Sequence, residues 1–449
     1  MQFIKDNFKY IFIFCFSLAV LVFLGYFINS VDSIWNYGFS YSISKGQIPY
    51  KDFTMIIPPF FNFIMAIGLV LFSHNNIVFL IEQSLLITIT FYFLYKMYNS
   101  KAWLFLLFMC FPIFLSFSPT YNYFIFFLAV ILLYLEKNNK NDYVIGLFLG
   151  FMLLTKHTVA VFFILSSILF YFKDKNKLFK RLIGLVIPCV IFLLYLLITD
   201  SISQFIDLCF FGLFDFGAKN TLIFTKYFFV TLIIFIIMII FYLKNRNDIC
   251  YLYLLVSISI MFPLFTAYHF YIYLLFFCLL LLEIDIKIPS RYIKVFSLGL
   301  CFMLIFIYSF SVFNNDGIER FSDVKNFNYY YALEGSYDNY KFLDNLYKEY
   351  SSKSRTILLS HNSSFINISN EYDNDYFTIL NRGNYGYNGT KRMINKVKKM
   401  KNTYFIVDMI DYKYERKDTN QFDYEIVDYI IRNSKLVYSS KYYMVYFYE

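Results

Sequence analysis

Val31-Asp32-Ser33-Ile34-Trp35-Asn36-Tyr37 opens a polar, aromatic loop that continues through Lys45-Gly46-Gln47-Ile48-Pro49-Tyr50-Lys51-Asp52-Phe53 to Pro58-Pro59-Phe60. It follows directly on an apolar run, residues 10–28, that is long enough to cross a bilayer. The loop therefore sits at a membrane face and carries two acids there, Asp32 and Asp52. A carboxylate held at that boundary can meet a molecule whose tail lies in lipid and whose head is in water. No small-residue cleavage site follows the apolar run, so it reads as a retained helix and not as a removed signal peptide.

The rest of the chain fits a membrane setting. Its 449 residues are 59% hydrophobic and 24% aromatic, with a mean hydropathy of +0.54, values that exclude an ordinary soluble domain. A formal net charge of +9 would suit a nucleic-acid partner. The basic residues, however, fall mostly in short connectors between apolar runs, where they orient helices, and no nucleic acid is expected. Cys15, Cys110, Cys189, Cys209, Cys250, Cys278 and Cys301 are scattered, nearly all in apolar segments, and form neither a disulfide framework nor a metal-ligand spacing.

Apolar runs recur near 10–28, 77–96, 102–117, 121–135, 143–157, 158–172, 182–199, 226–243, 250–265, 268–283 and 294–312. A shorter run, Phe60 to Phe72, falls below the ~20 residues a perpendicular helix needs. Charge decides its placement. If it stays on the outer face, the basic connectors all share one side: Lys5 and Lys9, Lys96 and Lys101, Lys137 and Lys140, Lys173 to Arg181, Lys244 and Arg246, and Lys287 to Lys294. That side is the cytoplasm by the positive-inside rule. The expected fold is a polytopic α-helical membrane protein of eleven spans plus an outer interfacial helix, with the N-terminus cytoplasmic. Pro112, Pro188 and Pro263 lie inside apolar runs and are expected to kink helices.

Residues 1–312 are read as the membrane domain and 313–449 as a small extracytoplasmic α/β domain. Helix-like segments at 341–350, 389–401 and 423–433 alternate there with β-like runs at 356–360, 404–408, 435–438 and 442–446. The turn-rich segment Asn381 to Thr390 matches no phosphate-binding pattern and is read as structural or substrate-facing.

Among residues suited to chemistry, Asp32 is either a general base acting on an acceptor hydroxyl or amine, or an acidic cap of the helix that follows. Asp52 either shares acid–base or cation-holding work with it or pairs with Lys51 at the surface. Lys156-His157 interrupts an apolar stretch; the lysine either meets a phosphate or snorkels to the interface. Asn122 and His269 lie in short outer turns, as phosphate contacts or plain turn residues. Glu82, inside a span, either serves a function or pairs with a neighbouring helix. Tyr50 and Trp35 suit interface anchors. No Gly-rich nucleotide loop, HExxH or CxxC pair appears.

Three stretches resemble the GT-C superfamily of integral-membrane glycosyltransferases, in the branch that contains the protein O-mannosyltransferases and the lipid A aminoarabinose transferase. They are Asp32 to Asp52 with its Gly46-x-x-Pro49-Tyr50-x-Asp52-Phe53 spacing followed by Pro58-Pro59 and the helix closing on Leu71-Phe72; Gly150 to Thr158; and Tyr268-His269-Phe270. The resemblance implies a glycosyltransferase with a polyprenyl-phosphate-linked sugar as donor and inverting transfer on the outer face. It puts the base on Asp32 and the donor phosphate near Lys156. Substrate-binding candidates are then Tyr50, Asp52, Asn122, Lys156, His157 and His269. The acceptor class stays open among cell-envelope glycans, lipids and proteins. Ser33 stands where many relatives have a second acid, and Asn122 where some carry Asp; both weaken metal dependence, and a divalent metal is left open. A polysaccharide polymerase or ligase, or a lipid-linked oligosaccharide transporter, is the competing reading.

Overall fold

The computed structural model describes residues 2–23, 31–109, 119–220, 224–284, 291–301, 303, 318–333, 335–381, 383–417 and 423–449. Cys110, Pro112, Ser118 and most of the last expected span lie outside the described residues. The chain runs α1 (Gln2–Phe23), α2 (Val31–Ser44), α3 (Phe60–Leu71), α4 (Asn76–Tyr98), α5 (Trp103–Met109), α6 (Tyr121–Lys137), α7 (Asp142–Leu153), α8 (His157–Phe170) and α9 (Lys175–Ile198). It continues through α10 (Ile202–Ile206), a π-helical turn (Asp207–Phe211), α11 (Gly212–Asn220), α12 (Lys226–Lys244), α13 (Ile249–Val256), α14 (Ala267–Glu283) and α15 (291–301).

Short polar residues start many of these helices by accepting an otherwise unbonded backbone N–H. Asn75 accepts from Ile77 at 3.0 Å, Asn141 from Tyr143 at 2.9 Å, Asp174 from Lys177 at 3.1 Å and Asp248 from Cys250 at 2.8 Å. Between caps the residues are apolar almost all round. Asn76–Met109, Lys175–Ile198 and Lys226–Lys244 are long and apolar enough to cross a membrane. The first is not one straight rod. Phe91 and Trp103 lie with ring centroids 5.3 Å apart, whereas twelve residues of continuous helix would separate their backbones by about 18 Å. The chain reverses through the 3₁₀ turn Asn99–Ala102, where Asn99 takes φ +50°.

The outward faces of α9 and α12 are apolar. Val190, Ile191, Leu194 and Leu197 on α9, and Phe229, Ile233, Ile236 and Ile240 on α12, are all exposed. So much apolar surface on soluble helices would be unfavourable in water and is natural in lipid. Helices meet closely where side chains vanish. A Cβ on Gly146 or Gly184 would lie 2.0 or 2.1 Å from a backbone carbonyl oxygen of the facing helix, so α7 and α9 pack backbone to backbone. Pro188 of α9 sits against Gly150, inside the helix. Pro263, by contrast, lies beyond the 3₁₀ turn Ser257–Met261 that ends α13, so it separates two helices where a kink within one was expected. α3, at twelve residues, is about 18 Å long and too short for the ~30 Å hydrocarbon core.

A network of charges closes one end of the bundle. Arg181 donates to Glu136 at 2.6 and 2.9 Å, to Asp142 at 2.8 Å and to Ser167 at 3.1 Å. Close by in the chain, Lys137 pairs with Glu283 at 2.6 Å.

The remainder comprises β1 (Ile318–Arg320) and β2 (Tyr331–Leu333), paired antiparallel, then α16 (Ser336–Ser351), β3 (Arg355–Leu359), α17 (Ser363–Ser369), α18 (Gly389–Val397), β4 (Thr403–Asp408), α19 (Met409–Lys417), α20 (Tyr424–Asn433), β5 (Lys435–Ser439) and β6 (Tyr443–Tyr448). The larger sheet has the order β3-β4-β6-β5, with β3 and β4 parallel and the other pairs antiparallel. Alternation along the strands divides the core. Leu358, Ile406 and Val445 pack with α16 on one face, while Ile357, Leu359, Phe405 and Val407 pack with α18 and α20 on the other.

Candidate functional site

Residues 32, 35, 36 and 39 lie three and four apart on α2, so Asp32, Trp35, Asn36 and Phe39 share one face. That face lines a cavity of about 460 Å³. The other walls come from Thr54–Ile57, from Tyr121 at the start of α6, from Lys156-His157-Thr158 between α7 and α8, and from Leu213, Phe216 and Gly217 of α11. Phe262 to Leu264, Thr266, Tyr268 and His269 add the edge that leads into α14, and Ile379, Asn381 and Asn384 arrive from the C-terminal unit.

Asp32 sits in the first turn of α2, where the helix macrodipole favours a negative charge. Its carbonyl accepts from Asn36 Nδ2 at 2.7 Å, which fixes the turn, and its carboxyl is left to the cavity. Burial raises the Asp32 carboxyl above its ordinary value, and the Lys156 ammonium pulls it part of the way back. It is the sole carboxylate lining the cavity among the described residues.

Lys156 is 8% exposed, which excludes a side chain snorkelling to the interface. Its ammonium donates to Asn122 Oδ1 at 2.6 Å and lies 5.6 Å from the Tyr121 ring centroid. Because Lys156 is the N-cap of α8, its charge adds to the positive end of that helix. His157 follows within the same wall, its ring 5.3 Å from Phe210. His269 Nδ1 shares a hydrogen bond of 2.9 Å with the Thr266 hydroxyl, which sets the imidazole's orientation at the start of α14.

The cavity thus gathers Asp32, Lys156, His157 and His269. Asn122 stands behind, fully buried, and accepts from Lys156. Tyr50 and Asp52 do not reach it. Tyr50 is fully buried with its hydroxyl donating to the Ile57 carbonyl at 2.9 Å, and Asp52 accepts from the Ile48 N–H at 2.6 Å. These two residues shape the loop, and the expected pairing of Lys51 with Asp52 gives way to Lys51 Nζ donating to the Thr199 carbonyl at 3.0 Å. Glu82 bridges α4 to α3 by accepting from the Gly68 N–H at 3.1 Å.

Several lining residues were not singled out from sequence. Asn36 and Phe39 carry a usable signal, their spacing from Asp32 on one helix. Asn381 and Asn384 belong to the turn-rich segment read as structural or substrate-facing, but nothing in sequence places that segment against Asp32, more than 340 positions away. Buried polar atoms in this wall that have no hydrogen-bond partner among the described residues include Trp35 Nε1, Asn36 Oδ1, Thr54 Oγ1, Asn381 Oδ1 and Asn384 Oδ1. Native interiors rarely leave such groups unpaired, so their concentration here marks a surface built for a polar ligand.

Among the described residues no cluster of three His, Cys, Asp or Glu side chains forms a metal shell. One carboxylate facing an ammonium is a poor donor set for a divalent cation.

No protein-family model and no curated protein matches the chain. One solved structure, the archaeal oligosaccharyltransferase AglB from Archaeoglobus fulgidus in complex with an inhibitory peptide and a dolichol-phosphate, aligns with 91% of this chain and 70% of that one. The sequence identity is 12% and the TM-score 0.45. A likeness at that level leaves the functional reading to the chain's own residues.

Proposed function

We propose that the protein is a membrane glycosyltransferase of GT-C type, moving a sugar from a polyprenyl-phosphate carrier to a cell-envelope acceptor. The observation that carries this reading is one cavity that combines the Asp32 carboxylate with the buried Lys156 ammonium at a helix N-terminus, inside a bundle whose outer faces are apolar.

In this reading the carrier's chain lies in lipid and its phosphate rests against Lys156 and the first turn of α8. Asp32 accepts the proton of an acceptor hydroxyl or amine. That atom attacks the anomeric carbon from the face opposite the phosphate, inverting it. The carbon–oxygen bond to the phosphate breaks, and the polyprenyl phosphate departs with the electron pair. Lys156 opposes the charge that develops on it, the step at which a fixed cation accelerates transfer. A raised carboxyl value suits Asp32 to proton transfer better than an ordinary, weakly basic carboxylate would. Asn122 positions Lys156. No step is routed through a metal.

Sidedness is supported by helix direction. α6, α8 and α14 each begin at the cavity, and each ends near the Arg181–Glu136 or Lys137–Glu283 pairs. If the basic connectors face the cytoplasm, the cavity opens toward the outer leaflet and the C-terminal unit covers it from outside.

The test is genetic and chemical. Deleting the gene should remove one sugar substituent from the cell envelope, and the wild-type gene should restore it while Asp32→Asn should not. Unchanged envelope glycans in the deletion strain, or full restoration by Asp32→Asn, would overturn the proposal.

A further inference from the structure

The C-terminal unit enters the cavity wall at one short segment. Asn384 N–H donates to the Asn381 carbonyl at 3.1 Å, closing a tight turn in which Gly383 takes φ +85°. This turn is clamped on both flanks. The Leu380 carbonyl accepts from the Asp423 N–H at 2.9 Å, and the Leu380 side chain is buried in the unit's core. Further on, Tyr387 N–H donates to Asp207 Oδ1 at 3.2 Å, and Arg392 pairs with the same carboxylate at 2.5 Å. The clamp therefore ties the turn to the membrane bundle as well as to its own sheet.

Holding Asn384 at 8% exposure with Oδ1 unsatisfied, and with the Oδ1 of the half-buried Asn381 also unpartnered among the described residues, costs stability for no structural return. Such an expense is understandable at a preorganised binding surface. The chemistry of the surface narrows the ligand. Amide oxygens repel a phosphate and offer nothing to a lipid chain, but they accept hydrogen bonds from hydroxyl groups. In the same cavity Trp35 presents an unpartnered indole N–H and an aromatic ring, which matches a molecule with both hydroxyls and a C–H face.

We infer that the Asn381–Asn384 turn is a carbohydrate subsite, in which the two amide oxygens accept hydroxyl hydrogens of a sugar ring lying near Trp35. The choice of a sugar as cargo rests on the transfer reading above; the polar surface stands without it. The subsite serves either the donor's sugar or a sugar of the acceptor.

Trp35 and Trp103 are the two tryptophans of the chain, so Trp103→Phe leaves Trp35 as a single fluorescent reporter in the cavity. The full-length protein in nanodiscs is titrated with glucose-, galactose-, mannose- and N-acetylglucosamine-containing disaccharides, with undecaprenyl phosphate, and with an undecaprenyl-phosphate-linked hexose. At least one disaccharide should change Trp35 emission saturably. Asn381→Ala/Asn384→Ala should weaken that binding by about tenfold or more, two neutral hydrogen bonds being lost, and leave undecaprenyl phosphate binding unchanged. Asn384→Asp, which keeps an acceptor oxygen, should lose less. An accompanying loss with the phosphate-linked hexose assigns the subsite to the donor sugar, and an unchanged value assigns it to the acceptor. The inference is overturned if no disaccharide saturates, or if the double variant binds as tightly as its parent. Transfer activity separates the two ideas. Saccharide binding that depends on the asparagines, in a protein that transfers nothing, would refute the proposed function and keep the subsite. Transfer that requires Asp32 but ignores the asparagines would do the reverse.

Discussion

Asp32→Asn should abolish transfer without loosening the protein, and the two effects together are diagnostic. Asparagine has nearly the volume of aspartate, so the wall of the cavity keeps its shape. No described residue donates a hydrogen bond to the Asp32 carboxylate, and the bond from Asn36 Nδ2 goes to the main-chain carbonyl, which the substitution retains. Two small terms then act on stability. Loss of a negative charge in the first turn of α2 forfeits about 0.3–1 kcal/mol of helix-dipole interaction. Against that, burial raises the folded carboxyl value, so the ionised side chain is held unfavourably at neutral pH and its removal is stabilising. The net expectation is a melting temperature equal to or above that of the parent.

Activity should behave differently. A positioned general base contributes roughly 10²–10⁴ in rate, or about 3–5 kcal/mol in the barrier. No second carboxylate among the described lining residues can replace it. The assay is release of radiolabelled sugar from a polyprenyl-phosphate donor by protein in nanodiscs, alongside thermal unfolding of the same preparations. Transfer retained above about a tenth of the parent rate would refute the base assignment. A fall of several degrees in melting temperature would instead make Asp32 a structural residue of α2.

Lys156→Met should lower kcat/KM by about 10–100-fold through loss of a charged contact to the phosphate. It should also move the acid limb of the pH–rate profile upward, because Lys156 is the group that lowers the Asp32 carboxyl; an unmoved limb would separate the two residues. Arg181→Met leaves Glu136, itself 8% exposed, without its bidentate partner, and should destabilise the bundle by about 3–5 kcal/mol. Arg181→Met/Glu136→Gln should recover part of that loss in thermal unfolding, and a melting temperature unchanged by Arg181→Met would contradict the buried pair. In the C-terminal unit, burial and the neighbouring Asp411 carboxylate raise Asp408. A raised carboxyl stabilises the folded form while protonated, so protection of the β4 amides from exchange should fall as pH rises from ~4 through the raised value. Asp411→Asn, which keeps an acceptor for the Ser360 hydroxyl and the His361 N–H, should flatten that dependence, and an identical slope would refute the coupling.

Contiguous apolar runs were the part of the fold that could be read in the sequence. Helices follow the apolar runs, and strands β3, β4, β5 and β6 fall on the short β-like runs near 356, 404, 435 and 442. The reversal after Tyr98 is signalled by Asn-Ser-Lys between two apolar stretches, although apolarity alone would join them into one span of 34 residues. The cavity lining was legible where polarity interrupts an apolar setting, as at Asp32, Lys156-His157 and His269. It was illegible in two directions. Tyr50 and Asp52 look like ligand groups in a one-dimensional reading, but satisfying Ile57 O and Ile48 N within the same loop consumes them. Asn381 lies in a turn-rich segment that sequence left open between a structural and a substrate-facing role, and the docking of the C-terminal unit onto α2, through Asn374 to the Ser42 hydroxyl at 2.9 Å and the Gly38 carbonyl at 3.2 Å, accompanies its arrival at the cavity.

That docking bears on why the cavity lies at one end of the bundle and not at mid-depth. α6 and α14 are each seventeen residues long, about 24 Å from first to last residue. Each starts at the cavity, with Tyr121 and with Tyr268-His269, and each finishes at the Lys137–Glu283 pair. A hydrocarbon core of ~30 Å exceeds that length by about 6 Å, so the cavity end of these helices falls toward one face of a bilayer and not at its midplane. In the proposed transfer, Lys156 and Asp32 then lie toward the bilayer face from which a lipid phosphate would approach, with apolar helix on one side of them and the Asn381–Asn384 turn on the other. The same geometry disfavours a transporter, whose binding site would sit near the bilayer midplane between opposing helix halves.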